Sequence, residues 1–340
     1  MSAGYPCLVA DIGGTNARFG WVTAPGSPVQ HVAVLPVRDH VGPAAAVTSY
    51  LAHLAQRGDW GGLSGAHPFV PRSAAFAVAT AVEGDHVMLT NSHWSFSQQQ
   101  LRRDLGLDLL LVLNDFEALA LSLPRLNLAQ LRFWEGSQVS DAVTSQRGMC
   151  TLAVIGPGTG LGVAGVTRID RTWAALPSEG GHATVAPADD FESEILNEAR
   201  RQFPHVSAER LLSGIGLPVL HAAVAAVKKQ PTAGLSSEMI VARGLSGEDS
   251  ICAQTLDTFC ALLGSFAGNV ALIMGARAGV YIGGGIVPRL GERFFSSQFR
   301  ERFEAKGRFR SYLAPIPTAL VTDTLAALTG AALAIEQHRA

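Results

Sequence analysis

The segment Asp11-x-Gly13-Gly14-Thr15-Asn16 sets a carboxylate, two glycines and a hydroxyl directly after the apolar run Pro6-Cys7-Leu8-Val9-Ala10. Unobstructed glycine amides and a threonine hydroxyl can hold phosphate oxygens, and a carboxylate at a strand end can hold the waters of a magnesium ion. A tight hairpin turn with no ligand uses the same residues. A second copy, Gly156-x-Gly158-Thr159-Gly160-x-Gly162, follows the apolar run 150–155. Two such clamps, facing each other, fit one nucleotide. Leu161 occupies the third glycine position and a strand rather than a helix follows, so the spacing is not that of a Rossmann dinucleotide site.

Asn114-Asp115-Phe116 follows the leucine-rich run 109–113. A carboxylate at the C-terminal end of a strand in an α/β protein stands where ligands bind, and Asp115 could take a proton from an attacking hydroxyl. Helix capping is the alternative use. Glu179-Gly180-Gly181-His182 places a carboxylate and an imidazole around a glycine turn, an arrangement suited to adjacent sugar hydroxyls; no second histidine or cysteine lies at metal-ligand spacing from His182. Glu209 adds an acidic group near a helix start, where the helix dipole would also favour it. Gly283-Gly284-Gly285-Ile286-Val287-Pro288 allows a flat ligand, adenine or ribose, to approach the backbone.

The elements that must position these groups read as alternating strands and helices. Both glycine segments are strand, turn, strand, and each opens a stretch of α/β character, which suggests a duplicated unit. Further strands are expected at 74–79, 109–113, 278–282 and 318–321, and helices at 116–123, 191–203, 251–275 and 325–336. Residues 24–28 and 58–71 read as surface loops.

The chain has 340 residues, 48% hydrophobic and 16% charged, with a formal net charge of -2. That length suits two domains. No basic run tracks a nucleic-acid backbone, so nucleic acid and anionic membranes are excluded as main partners. Only three of the 26 basic residues are lysines, Lys228, Lys229 and Lys306, and none follows a glycine, which excludes a Walker A loop. The four cysteines are scattered without metal or redox spacing. No basic segment and apolar core mark a signal peptide, and no apolar stretch approaches the roughly 18 uninterrupted residues of a membrane span, so a cytoplasmic protein is expected.

Taken in order, these segments resemble the bacterial glucokinase family, within the hexokinase, actin and Hsp70-like ATPase fold group. The resemblance runs from Leu8 to near the C-terminus. It rests on the Asp11 to Arg18 segment, Leu89-Thr90-Asn91-x-x-Trp94, Leu113-Asn114-Asp115-Phe116, Gly158-Thr159-Gly160-Leu161-Gly162, Glu179-Gly180-Gly181-His182, Ala208-Glu209-Arg210-x-Leu212-Ser213-Gly214 and Gly283-Gly284-Gly285-Ile286-Val287-Pro288. It implies a duplicated ribonuclease H-like (actin/hexokinase-type) α/β fold of two domains with an interdomain cleft. The smaller domain is expected at 1–125 plus 318–340, the larger at 126–317.

The resemblance further implies transfer of the γ-phosphate of MgATP to the 6-hydroxyl of D-glucose, with Asp115 as general base. Asn91, Asn114, Asp115, Glu179, His182 and Glu209 would bind the sugar. Asp11, Gly13, Gly14, Thr15, Asn16, Gly158, Thr159, Gly160, Gly283 and Gly284 would hold ATP, with Asp11 meeting Mg2+ through water. A homodimer is also implied. Ala79-Thr80-Ala81-Val82-Glu83 departs from the family's Cys-Pro or Gly-Pro pairing ahead of the Asn91 loop, and the cysteine-rich zinc motif of the related ROK group is missing. The rival readings are a kinase for another hexose, a non-catalytic sugar-sensing regulator, and an actin-like filament protein. Retention of Asp115 with both phosphate segments argues against the second, and the Glu-Gly-Gly-His segment against the third.

Overall fold

A computed structural model describes residues 5–57, 70–134, 150–170, 172–232 and 234–338. Most of the loop expected at 58–71 lies outside the described residues. The chain divides into two compact units, 1–126 with 172–175 and 324–340, and 127–171 with 176–323.

In the first unit, β1 (Cys7–Ile12), β2 (Asn16–Val22) and β3 (Gln30–Pro36) form an antiparallel meander, and β4 (Ser73–Val78) then pairs parallel to β1. A small hairpin, β5 (His86–Met88) and β6 (Ser95–Ser97), precedes β7 (Leu109–Asn114), which pairs parallel to β4. The five-stranded order is β3-β2-β1-β4-β7. Side chains alternate across the pleat, so the sheet has two apolar faces to cover. Leu8, Ala10 and Ile12 pack with Val47 and Tyr50 of α1 (Pro43–Arg57) on one face. Cys7 and Val9 pack on the other with Leu328, Ala331 and Ile335 of the helix Ala326–His338. That helix also lies on α3 (Asp115–Ser122), which follows α2 (Gln98–Asp104), and the crossing has no slack: a Cβ at Gly330 would stand 1.6 Å from the Ala118 carbonyl oxygen.

The second sheet repeats the order. Here β8 (Leu131–Phe133) is an edge, β9 (Thr151–Pro157) and β10 (Leu161–Ile169) are an antiparallel hairpin, and β11 (Thr172–Ser178), β12 (Gly279–Ile282) and β13 (Thr318–Val321) complete β11-β10-β9-β12-β13-β8. Strand 318–321, expected with the smaller domain, belongs to this sheet because it pairs parallel to β12 through Val280–Thr318 and Ile282–Leu320. Strand pairing is a long-range choice that a short apolar run does not reveal.

Four longer helices, α4 (Asp190–Arg200), α5 (Leu217–Val227), α6 (Ser237–Ser246) and α7 (Ser250–Met274), build the surrounding core. The helix expected to reach 203 ends at Arg200, ahead of Pro204, which disfavours helical backbone at the residue before it. Helices α1, α2, α5 and α6 are not among those expected from the sequence. α7 is capped by Asp249, whose side chain accepts from the Ile251 and Cys252 amides, and it stops at Gly275 with φ 62°. It corrects the expectation about spans: by length and composition α7 could cross a membrane, yet 78% of its most apolar 18-residue window is buried inside the protein. α7 is the central helix of this unit's core.

Candidate functional site

In the first unit, strand register gathers the chemistry at one edge of the sheet. Parallel pairing sets Ile12 beside Val78 and Val78 beside Asn114, so the Asp11–Asn16 hairpin and the Asn114–Asp115 junction leave the same C-terminal edge. Such an edge is where open α/β sheets bind ligands. The hairpin turn is closed by the Gly13 amide donating to the Asn16 carbonyl at 2.9 Å. Gly14 lies against the β5–β6 turn: a Cβ there would stand 2.5 Å from the Asn91 carbonyl oxygen. Gly14, Thr15, Val37, Arg38, Asn91, Ser92 and His93 line an open depression of about 430 Å³. The structure thus brings Asn91 to the phosphate-type hairpin.

Asn114 caps α3 and is held at both ends of its amide. Its Oδ1 accepts from the Phe116 amide at 2.9 Å, and its Nδ2 donates to the Thr80 carbonyl at 3.1 Å. Residue 80 thereby enters the site through its backbone, within the segment that departs from the family pattern. Asp115 opens the helix, where the dipole favours its negative charge, and its Oδ1 accepts from the Phe116 amide at 2.9 Å.

Asp11 pairs with Arg18 at 2.8 Å, its side chain 17% exposed. The sequence reading gave Arg18 no role beyond its place in the Asp11 to Arg18 segment, although the signal was present: a hairpin turning at Gly13-Gly14 pairs residue 11 with residue 18. Burial pushes the Asp11 carboxyl above the usual aspartate range, with Arg18 opposing the shift through its hydrogen bond and charge. A raised folded-state value means that this group favours the folded state below about pH 3.8 and that the contribution is lost as pH rises through the raised value. At neutral pH its buried charge is a net cost. Asp11→Asn is therefore expected to melt above the unsubstituted protein at pH 7 without nucleotide or magnesium, the gap closing as pH falls to 4; scanning calorimetry at both pH values checks it.

In the second unit, the 158–160 turn joins β9 to β10 and is closed by the Gly158 amide donating to the Gly160 carbonyl at 2.8 Å. Gly283 donates to Ile155 at 2.8 Å and Ile286 to Pro157 at 3.1 Å, so the Gly283-Gly284 turn stands beside the end of β9. Ile155 and Ile282 are in register on parallel strands, again at one C-terminal edge. A short 3-10 turn, Gly180–His182, presents His182 3.9 Å from Glu179 and 4.0 Å from Glu209. The Glu209 Oε2 accepts from the Leu161 amide at 2.9 Å. This amide, like the Thr80 carbonyl, is a backbone group and leaves no mark in a residue pattern.

Each unit therefore presents one glycine turn whose amides are able to hold phosphate oxygens, and each adds side chains able to bind hydroxyls. The first unit adds a carboxylate at a helix start. A model of the family described as Glucokinase matches residues 8–338. A glucokinase from Aromatoleum aromaticum is 48% identical over 332 residues, which cover 98% of this chain and 95% of that protein. The crystal structure of a glucokinase from an Antarctic psychrotroph superposes with a TM-score of 0.86 at 36% identity, covering 98% and 99% of the two chains. A ROK family glucokinase from Streptomyces griseus, solved with glucose and AMPPNP, shares the fold at a TM-score of 0.60 and 18% identity, covering 98% and 99%. With a family match over nearly its whole described length and a relative close to half identical, this chain belongs to the glucokinase family, enzymes that phosphorylate a hexose.

Proposed function

We propose that this chain transfers the γ-phosphate of MgATP to the 6-hydroxyl of D-glucose, with Asp115 as the general base. The observation that carries the reading is the register Ile12–Val78–Asn114, which sets a carboxylate at a helix start beside a glycine hairpin on one sheet edge.

Phosphoryl transfer asks of a protein chiefly positioning and neutralisation of charge. In this reading Asn91, Asn114, Glu179, His182 and Glu209 bind the sugar hydroxyls, and Asp115 accepts the 6-hydroxyl proton as that oxygen attacks. The amides of Gly13, Gly14, Gly158 and Gly160, with the hydroxyls of Thr15 and Thr159, hold phosphate oxygens. Asn16 closes the first turn, and Gly283 and Gly284 receive the adenosine. The site fits a magnesium ion: Asp11 is a largely buried carboxylate whose charge Arg18 compensates only in part, and it would hold the ion's waters. When bound, Mg2+ neutralises charge on the β- and γ-phosphate oxygens. The reading includes a homodimer in the cytoplasm.

Coupled-assay turnover with MgATP across glucose, mannose, fructose and glucosamine tests the substrate. Glucose is expected to exceed each of the others at least about tenfold in kcat/KM, a difference of roughly 1.4 kcal/mol in transition-state binding. Equal turnover of a second hexose would replace the glucose assignment with a broader hexokinase.

A further inference from the structure

Glu209 divides its carboxylate between two neighbours. Oε2 accepts from the amide of Leu161, the residue immediately after the 158–160 turn, at 2.9 Å, while Oε1 lies 4.0 Å from His182 Nδ1. Its own amide donates to the Gly181 carbonyl at 2.8 Å, which ties it to the turn that carries His182. The residues that follow hold the phosphate-type turn from the same side. Gly214 donates to the Gly158 carbonyl at 2.7 Å and Ile215 to the Thr159 carbonyl at 3.4 Å.

The turn and the carboxylate are consequently in contact as well as hydrogen-bonded. A Cβ at position 160 would stand 2.5 Å from Glu209 Oε2 and 3.3 Å from its Cδ. Gly160 is bare on the side of the carboxylate, a requirement separate from the approach of a phosphate. Any shift of Glu209 moves the acceptor of Leu161, and any shift of the turn moves the donor.

Resting on the sugar and nucleotide assignments above, we infer that Glu209 couples the sugar site to the phosphate-binding turn. A sugar hydroxyl donating to Glu209 fixes the carboxylate, the fixed carboxylate holds the Leu161 amide, and the held amide sets the turn that receives the nucleotide's phosphates. Each substrate therefore tightens the other, as linkage requires of any such coupling. Gly160 is a positioning residue for glucose although it sits on the nucleotide's turn.

Titration calorimetry with glucose and with magnesium AMPPNP, alone and together, on the full chain tests this. In the unsubstituted protein each ligand is expected to raise affinity for the other by roughly five- to a hundredfold. In Gly160→Ala, affinity for glucose alone is expected to fall about tenfold or more, with the mutual effect near unity. Thr159→Ala, which loses a hydroxyl and leaves Glu209 untouched, is expected to weaken AMPPNP and keep the affinity for glucose alone within about twofold. Should Gly160→Ala not fold, Glu209→Asp, too short to reach the Leu161 amide, is expected to abolish the mutual effect. Independent binding of the two ligands to the unsubstituted protein, or glucose affinity unchanged in Gly160→Ala, overturns the inference. A chain that binds no glucose at all fails the parent assignment first, which the glucose titration alone reveals.

Discussion

Asp115→Asn is expected to lower kcat by roughly a thousandfold while glucose still binds, because a positioned general base contributes about a hundred- to ten-thousandfold. The substitution is isosteric, and the new amide oxygen can still accept from the Phe116 amide, as Asp115 Oδ1 does at 2.9 Å. The fold of α3 is therefore expected to survive, with a melting temperature within a few degrees of the parent. Asp115 is also assigned to the sugar, so a loss of about tenfold in glucose affinity accompanies the change; the diagnostic quantity is the larger fall in kcat itself. Single-turnover rates with saturating glucose and MgATP measure it. A variant within about tenfold of the parent in kcat would remove Asp115 from the role of base.

The second large effect is expected far from any substrate. Gly330→Ala places a methyl group where the Ala118 carbonyl oxygen already is, with the Ala118 carbonyl carbon 2.6 Å and the Ser122 amide nitrogen 3.1 Å away. These are backbone atoms of α3, so no side-chain rotation relieves the clash. Helix propensity alone favours alanine over glycine by about 1 kcal/mol. Overpacking against rigid backbone costs about 1–3 kcal/mol or more, and here it wins. The expected result is a melting temperature lower by roughly 5 °C. Because α3 begins at Asp115, the same displacement is expected to cost about a hundredfold in kcat, the usual penalty for an ångström of misplacement. A variant that melts above the parent would show that propensity, and not the interlock of the two helices, governs this contact.

Where chemistry lies in side chains and local spacing, the sequence was informative. The Asp11–Asn16 hairpin, its second copy at 158–160 and the Asn114–Asp115 junction all stand at the strand ends expected of them, since each follows an apolar run and begins with a turn or cap. What escaped was long-range or carried by backbone. β13 joined the second sheet because its partner β12 lies some distance earlier in the chain, beyond the reach of local pattern. α5 is so uniformly apolar that it shows little 3.6-residue periodicity to read, being rich in alanine and valine and buried over most of its length. The carbonyl of Thr80 and the amide of Leu161 exist at every residue, and only the fold selects these two.

The helix Ala326–His338 has a temporal consequence. It covers the face of the first sheet formed by Cys7, Val9, Val22 and Ala75, yet the whole of residues 127–323 is synthesised before it. At about 5–20 residues per second, the roughly 200 intervening residues keep that apolar face without its cover for on the order of 10–40 s on the ribosome. The second unit has all of its strands by residue 321. The unit that the ribosome begins first is thus the one it lets close last, and the half of the protein that bears the proposed base is the later of the two to bury its apolar sheet.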